Sequence, residues 1–187
     1  MSEHPMLTII MQDHQKMHFE LYPEYAPASV SGFLRMVETH AYDGMSVARI
    51  VPDFVWQPWY DENKMPEMYH YVMEAETPFN GFKQNTLPLK RYTLALAGDG
   101  EHLSSPACFF IVAGDHCEER LNGRFAGIGR MVEGMAVFEA LMQAPLRAMP
   151  SPTDGVLINE PVFPQVIETI DFNLEGFQLV ECPVFLP

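Results

Sequence analysis

Leu7 to Met11 is a short apolar run, Gln12 to Lys16 is polar, and Met17-His18-Phe19-Glu20-Leu21 alternates with a period of two. Two such segments about a polar stretch predict a β-hairpin. Pro23 and Pro27 then bracket a turn, and from Ala28 the apolar positions become Val30, Phe33, Leu34 and Val37. That spacing predicts a helix with one apolar face, with Pro27 near the first turn, where a missing N–H is tolerated. Ala41-Tyr42-Asp43-Gly44 ends it. Val47 to Val51, Phe54 to Gln57, Tyr69 to Glu74, Tyr92 to Ala97, Cys108 to Ala113 and Arg124 to Met131 read as short strands separated by glycine, proline and polar clusters. Gly98 to Ala107 has no periodicity and reads as a loop. Val132 to Met142 places Met135, Phe138, Leu141 and Met142 on one side, as in a second helix. Pro145 to Pro164 is proline-rich and reads as irregular, and Val166 to Phe172 alternates again. Phe177 to Phe185 is apolar for a terminus; it reads as packing on the chain's own barrel, with an added strand or a partner contact as alternatives. Many short strands and two separated helices predict a mainly β fold, an antiparallel barrel with helices at its ends.

The length, 187 residues, fits a single domain over 1–187 with a core that needs no disulfides. Eleven Lys and Arg stand against 25 Asp and Glu, a net charge of −14, and no basic run interrupts this. That balance argues against nucleic acid and against an anionic membrane surface, because both are bound through clustered cations. Cys108, Cys117 and Cys182 are odd in number and have neither zinc-site nor disulfide-framework spacing, so they read as free thiols of a reducing compartment. Met1 to Met6 is polar and has no secretory pattern, and no apolar run approaches the ~18 residues of a membrane span. The expected location is the cytoplasm.

Several chemistry-bearing groups are set aside. His14 and His18 are four apart but flank the hairpin turn, where that spacing does not converge on a metal. Asp115-His116-Cys117-Glu118-Glu119 falls in a predicted loop without a second ligand group, and Cys108 opens an apolar strand, the setting of a buried, inert thiol. The methionines read as core filler and the glycines form no phosphate loop. Neither metal nor cofactor is expected.

Three stretches, in this order and spacing, resemble the cyclophilin family of peptidyl-prolyl cis-trans isomerases, in a bacterial-like form with a divergent groove. The first runs from Phe19-Glu20-Leu21-Tyr22-Pro23 through the helix to Tyr42-Asp43-Gly44 and Arg49-Ile50-Val51-Pro52-Asp53-Phe54. The second is Asn80-Gly81-Phe82-Lys83 with Thr93-Leu94-Ala95-Leu96-Ala97. The third is Phe109-Phe110-Ile111, Leu121-Asn122-Gly123, Gly129-Arg130 and Val132-Glu133-Gly134-Met135. The likeness covers about Leu7 to Phe172 and leaves Asn173 to Pro187 as an extension.

The resemblance implies an eight-stranded antiparallel barrel capped by two α-helices, and catalysis of rotation about X-Pro peptide bonds. Proline-containing peptides and unfolded or folding proteins would be the partners; a monomer is the simplest expectation. Arg49 would donate to the proline nitrogen, and Gln57 matches the glutamine that orients it. Phe54, Phe110 and Leu121 match the apolar proline pocket, with Phe125 where the family carries histidine or tyrosine. Val55 and Ala97 would line the same groove, and Gly98 would offer its backbone to the substrate. Cys108 stands in place of a groove-lining glutamine, and Arg120 in place of tryptophan or histidine. Ala48 replaces a histidine, Pro58-Trp59-Tyr60 replaces a glycine-rich turn, and Pro106-Ala107 replaces a Gly-Ser pair. These departures leave a second reading open: a catalytically weak or inactive module that binds proline peptides in the same groove.

Overall fold

The computed structural model describes residues 4–59, 70–150 and 157–187. Residues 1–3 of the N-terminal segment, Tyr60, Tyr69 and residues 151–156 of the proline-rich stretch lie outside the described residues. The expected hairpin is β1 (Met6–Met11) and β2 (Lys16–Leu21), which bury Leu7, Ile9, Met11 and Met17, Phe19, Leu21 at alternate positions. Its turn keeps His14 and His18 apart: His14 meets Glu168 and His18 meets Thr8. The first helix, α1 (Pro27–Glu38), buries Val30, Phe33, Leu34 and Val37, with Pro27 in its first turn.

Strands β3 (Arg49–Val51), β4 (Val55–Gln57), β5 (Met73–Glu74), β6 (Thr93–Gly98), β7 (Leu103–Val112), β8 (Ala126–Glu133) and β11 (Ile167–Asn173) join the hairpin in one antiparallel sheet. Eight strands run in the order β11-β1-β2-β8-β6-β7-β4-β3, and β5 attaches to β7. The two ends of this path meet. Gly44 and Val47 N–H donate to the carbonyls of Ile167 and Gln165 at 2.8 Å, and Ile167 N–H donates back to Met45 at 2.8 Å. The sheet therefore curls round its apolar face, as the pattern of short strands predicts.

Helix α1 covers that face at one side, where Phe33 meets Phe109 edge-on at 5.3 Å and Tyr42 O–H donates to the Ala107 carbonyl at 2.6 Å. Helix α3 (Met135–Met142) covers the other, bringing Phe138 edge-on to Trp56 at 6.5 Å. A short helix, α2 (Glu118–Leu121), lies where Asp115 to Glu119 reads as loop.

Two further expectations are corrected. The segment 103–107 extends β7 rather than forming a loop, because Ser104 and Leu103 pair with β5. Pro145 to Pro164 contains β9 (Leu146–Pro150) and β10 (Leu157–Pro161), which pair with each other outside the main sheet. Their prolines 150 and 161 sit at strand ends, where a missing donor is tolerated. The C-terminal segment packs on the barrel, as the sequence predicts, and of the alternatives the added strand is not formed: among the described residues its ladder contact is the Val72–Phe185 bridge. It lies along α1, with Arg35 donating to the Val180 carbonyl at 2.7 Å and Val180 N–H donating to Ser31 Oγ at 3.0 Å.

Two polar contacts hold the scaffold at points the apolar pattern does not reach. Ala26, at the start of α1, offers no side-chain cap. The buried Glu76 supplies one from a distant segment, accepting from Ser29 N–H at 2.5 Å, Ser29 Oγ at 2.7 Å and Ala28 N–H at 3.3 Å. A carboxylate there also faces the positive end of the helix dipole. Near the N-terminus, His4 bridges Glu20 at 2.6 Å and Glu24 at 2.9 Å. Burial opposes its charged form, but the hydrogen bond to Glu20 and the two carboxylate charges outweigh it and raise the His4 pKa above its ordinary value.

Glu76→Ala strips acceptors from two backbone donors and a buried hydroxyl, and is expected to lower unfolding stability by about 1–3 kcal/mol in urea titrations. The His4 contribution is fully present below the ordinary imidazole pKa of about 6.5 and is lost as pH rises through the raised folded value. Tm measured from pH 5.5 to 8.5 should therefore fall more steeply for wild type than for His4→Gln.

Candidate active site

On β3 and β4 the strand alternation sends Ile50 and Trp56 into the main core and leaves Arg49, Val55 and Gln57 on the outer face. Arg49 and Gln57 are directly opposed in the antiparallel register. The Arg49 guanidinium donates to Gln57 Oε1 at 2.9 Å, and Gln57 is only 9% exposed. On β6 and β7 the same alternation sends Leu94, Leu96, Phe109 and Ile111 inward and Ala95, Phe110 and Val112 outward. These outward residues form a second apolar cluster with Val55, Leu89, Cys117 and Leu121, edged by Phe54, Ala97 and Phe125.

Above this cluster opens a cavity of about 320 Å³, within the size range of small-ligand sites. Its lining is Arg49, Phe54, Val55, Gln57, Ala97, Gly98, Phe110, Arg120, Leu121 and Phe125. Ten of the eleven residues singled out in the sequence thus meet around one cavity. Phe110 and Phe125 meet edge-to-face at 5.6 Å and make a rigid apolar wall. The Arg120 guanidinium lies over the Phe54 ring, 4.1 Å from its centre.

Cys108 is the exception. Leu96 pairs with Phe109 and Gly98 with Ser104, so Ala97 alone opposes residues 105–108 of β7. This irregularity breaks the alternation that Phe110 obeys, and Cys108 instead packs beside Ala107, in the cluster that also gathers Met36, Ala41 and Trp59.

Helix α2 sets the far wall. Cys117 at its N-terminus lies with Sγ 3.6 Å from the Asp53 carbonyl, under the turn that carries Phe54. Ala113 N–H donates to the Phe54 carbonyl at 2.7 Å, and Leu89 N–H donates to Asn122 Oδ1 at 2.8 Å just beyond the helix. A Cβ at Gly114 would collide with the Asp53 carbonyl and lie 2.7 Å from Cys117 Sγ, so only glycine allows this approach. Gly114, Cys117 and Asn122 escape a reading of the sequence because they act through the backbone of their neighbours. Burial pushes the Cys117 thiol up, away from the thiolate a nucleophile needs. Asp115 is engaged by Arg91 at 2.7 Å, and among the described residues no group of three His, Cys, Asp or Glu side chains is placed to hold a metal.

A curled antiparallel sheet with helices over its ends, carrying on its outer face an apolar groove with an arginine fixed beside it, defines a cyclophilin-type protein. The family model described as "Cyclophilin type peptidyl-prolyl cis-trans isomerase/CLD" matches residues 6–161, and the chain belongs to this family. It is an isomerase of peptidyl-prolyl bonds. Among similar proteins, peptidyl-prolyl cis-trans isomerase B of Bacillus subtilis is 30% identical over 126 residues, covering 67% of this chain and 82% of its own length. A peptidyl-prolyl cis-trans isomerase of Acinetobacter baylyi is 27% identical over 160 residues, covering 84% of this chain and 80% of its own. The crystal structure of a cyclophilin-type isomerase of Cryptosporidium parvum shares the fold with a TM-score of 0.69 at 19% identity, over 91% of this chain and 98% of that one.

Gly114→Ala forces the Asp53–Phe54 turn away from α2. It should destabilise the fold by about 1–3 kcal/mol and lower isomerase activity at least severalfold at temperatures where the variant remains folded, as read by circular dichroism and a peptide exchange assay.

Proposed function

We propose that Arg49 is the catalytic residue and that it acts on the nitrogen of a proline seated between Phe54, Phe110, Leu121 and Phe125. The observation that carries this is the Arg49–Gln57 hydrogen bond beside an apolar, aromatic-walled cavity. A peptide bond before proline is held planar by resonance, with a rotation barrier of about 18–20 kcal/mol. In the planar amide the nitrogen lone pair is delocalised and accepts poorly. As the bond twists, the lone pair localises and becomes an acceptor for the guanidinium. The hydrogen bond is then stronger in the transition state than in either ground state, which is the condition for catalysis. A charged hydrogen bond of about 1.5–3 kcal/mol corresponds to roughly ten- to a hundredfold in rate. Apolar walls that exclude water strengthen it further. No bond is made or broken, so neither nucleophile nor metal enters.

Gln57 acts as a positioning residue. Its carbonyl oxygen accepts from one N–H of the planar guanidinium and so fixes the orientation of the fork, a directional hold that a point-charge lysine lacks. Val55 and Phe110 form the floor, Ala97 the side, and the exposed Gly98 offers backbone groups to an extended peptide. The substrates are proline-containing segments of peptides and of unfolded or folding proteins. A second Cryptosporidium parvum cyclophilin structure, solved in the presence of the dipeptide Ala-Pro, fits this reading. The three cysteines form no disulfide, which suits an enzyme of a reducing compartment such as the cytoplasm.

The test is cis/trans exchange of a short Ala-Pro peptide followed by NMR. Wild type should broaden and exchange the two sets of signals, Arg49→Ala should lose at least tenfold, and Gln57→Ala should lose about three- to tenfold with peptide binding little changed. Saturable binding without exchange would replace catalysis by a binding module; equal rates for wild type and Arg49→Ala would remove Arg49 from the mechanism.

A further inference from the structure

We infer that Arg120 gives the groove a preference for proline segments that carry an acidic side chain immediately beside the proline. The inference rests on the proposed seat of the proline ring and deepens that reading by naming a substrate class.

The groove is an electrostatic exception on this protein. The chain carries a net charge of −14 from 25 acidic and 11 basic residues, yet among the described residues the groove lining holds two arginines and no carboxylate. Arg49 donates to the amide oxygen of Gln57, another lining residue. Arg120 is exposed and makes no ion pair among the described residues. Glu118 and Glu119 share its short helix, but neither lines the groove nor pairs with it.

Arg120 is nevertheless held in place. Its guanidinium stacks over Phe54, 4.1 Å from the ring centre. Stacking uses the flat face of the guanidinium and leaves its in-plane N–H donors at the edge, where a carboxylate can accept two of them side by side. Phe54 and Arg120 both line the cavity, so the guanidinium stands beside the wall of the proposed proline seat, within the neighbourhood of a residue next to the proline. The anchor itself is fixed by α2, whose preceding Cys117 lies under the Phe54 turn.

Long-range and short-range fields oppose each other here. The acidic surface repels an acidic peptide at a distance, but screening limits that repulsion to about 8 Å at physiological salt. Within the groove the local cations decide, because apolar walls focus their field. A lysine beside the proline would meet two guanidinium groups instead.

The experiment compares NMR exchange rates, at one salt concentration, for peptides with Glu, Gln or Lys on either side of the proline. For wild type the Glu peptide of at least one series should give a kcat/KM about threefold above Gln and about tenfold above Lys, the scale of a partly exposed ion pair. Arg120→Gln, which keeps a planar group over Phe54, should bring the three within about twofold, and Arg120→Glu should favour Lys. Equal catalysis of all three peptides by wild type, or a charge preference that survives both substitutions, overturns the inference while leaving Arg49 catalysis intact. Absence of catalysis on the Gln peptides as well as the charged ones would instead strike at the Arg49 reading on which the inference rests.

Discussion

The site depends on one cross-strand pair. Arg49 and Gln57 oppose each other on β3 and β4, and their side chains meet at 2.9 Å on the outer face of the barrel. Strand β3 ends the eight-strand path, and an unsupported end strand would leave the guanidinium free to drift. Three supports prevent this. The segment just before β3 is bonded to residues 165–167, β10 lies against β3, and the residue between Val55 and Gln57, Trp56, is locked in the core. Trp56 Nε1 donates to Gln165 Oε1 at 3.0 Å, and Gln165 Nε2 donates to the Leu141 carbonyl at 2.8 Å. Barrel closure, the second long helix and the position of Arg49 are therefore one mechanical unit, joined through Gln165.

The groove follows from strand alternation carried across four strands. Residues of β3, β4, β6 and β7 that point inward build the barrel core; those that point outward would leave an apolar stripe in water if nothing covered it. Leu89 and α2 cover part of that stripe, and the uncovered remainder is the cavity. A sheet buried on both faces reads as nearly continuous apolar sequence, and Cys108 to Ala113 is such a run. The pocket is thus the portion of a two-sided sheet that the chain leaves for a ligand.

The candidate site was legible through the resemblance to the family, whose motifs carry Arg49, Gln57, Phe54, Phe110 and Leu121. The hairpin and α1 were legible from the residues themselves: period two and period 3.6 persist over enough residues to fix a face. Legibility ended where the period broke. Four residues of β7 oppose one of β6, which turned Cys108 away from the groove. Prolines at the ends of β9 and β10 masked a strand pair that lies outside the main sheet. The C-terminal apolar residues have the composition of a strand, but their hydrogen bonds go to Arg35 and Ser31 on α1, which no local pattern records.

The same geometry sorts the departures from the family pattern into two groups. Gly32 on α1 leaves a gap that Pro106 and Cys182 fill: a Cβ there would lie 3.1 Å from Pro106 Cβ and 2.6 Å from Cys182 Sγ. The Ala107 carbonyl accepts from the Tyr42 hydroxyl, and Cys108 packs beside Ala107. Pro106, Ala107 and Cys108 therefore belong with α1 and the C-terminal extension, as an adjustment of packing outside the cavity lining. Ala48 also lies outside the cavity lining, with its N–H donating to the Pro58 carbonyl at 3.0 Å. Among the described residues, Arg120 and Phe125 are the departures that line the groove itself. Phe125 makes an apolar wall with Phe110 and carries no hydrogen-bonding group into the groove. Arg120 alone adds a charge, which concentrates the divergence of this groove in one side chain stacked on the ring that borders the proposed proline seat.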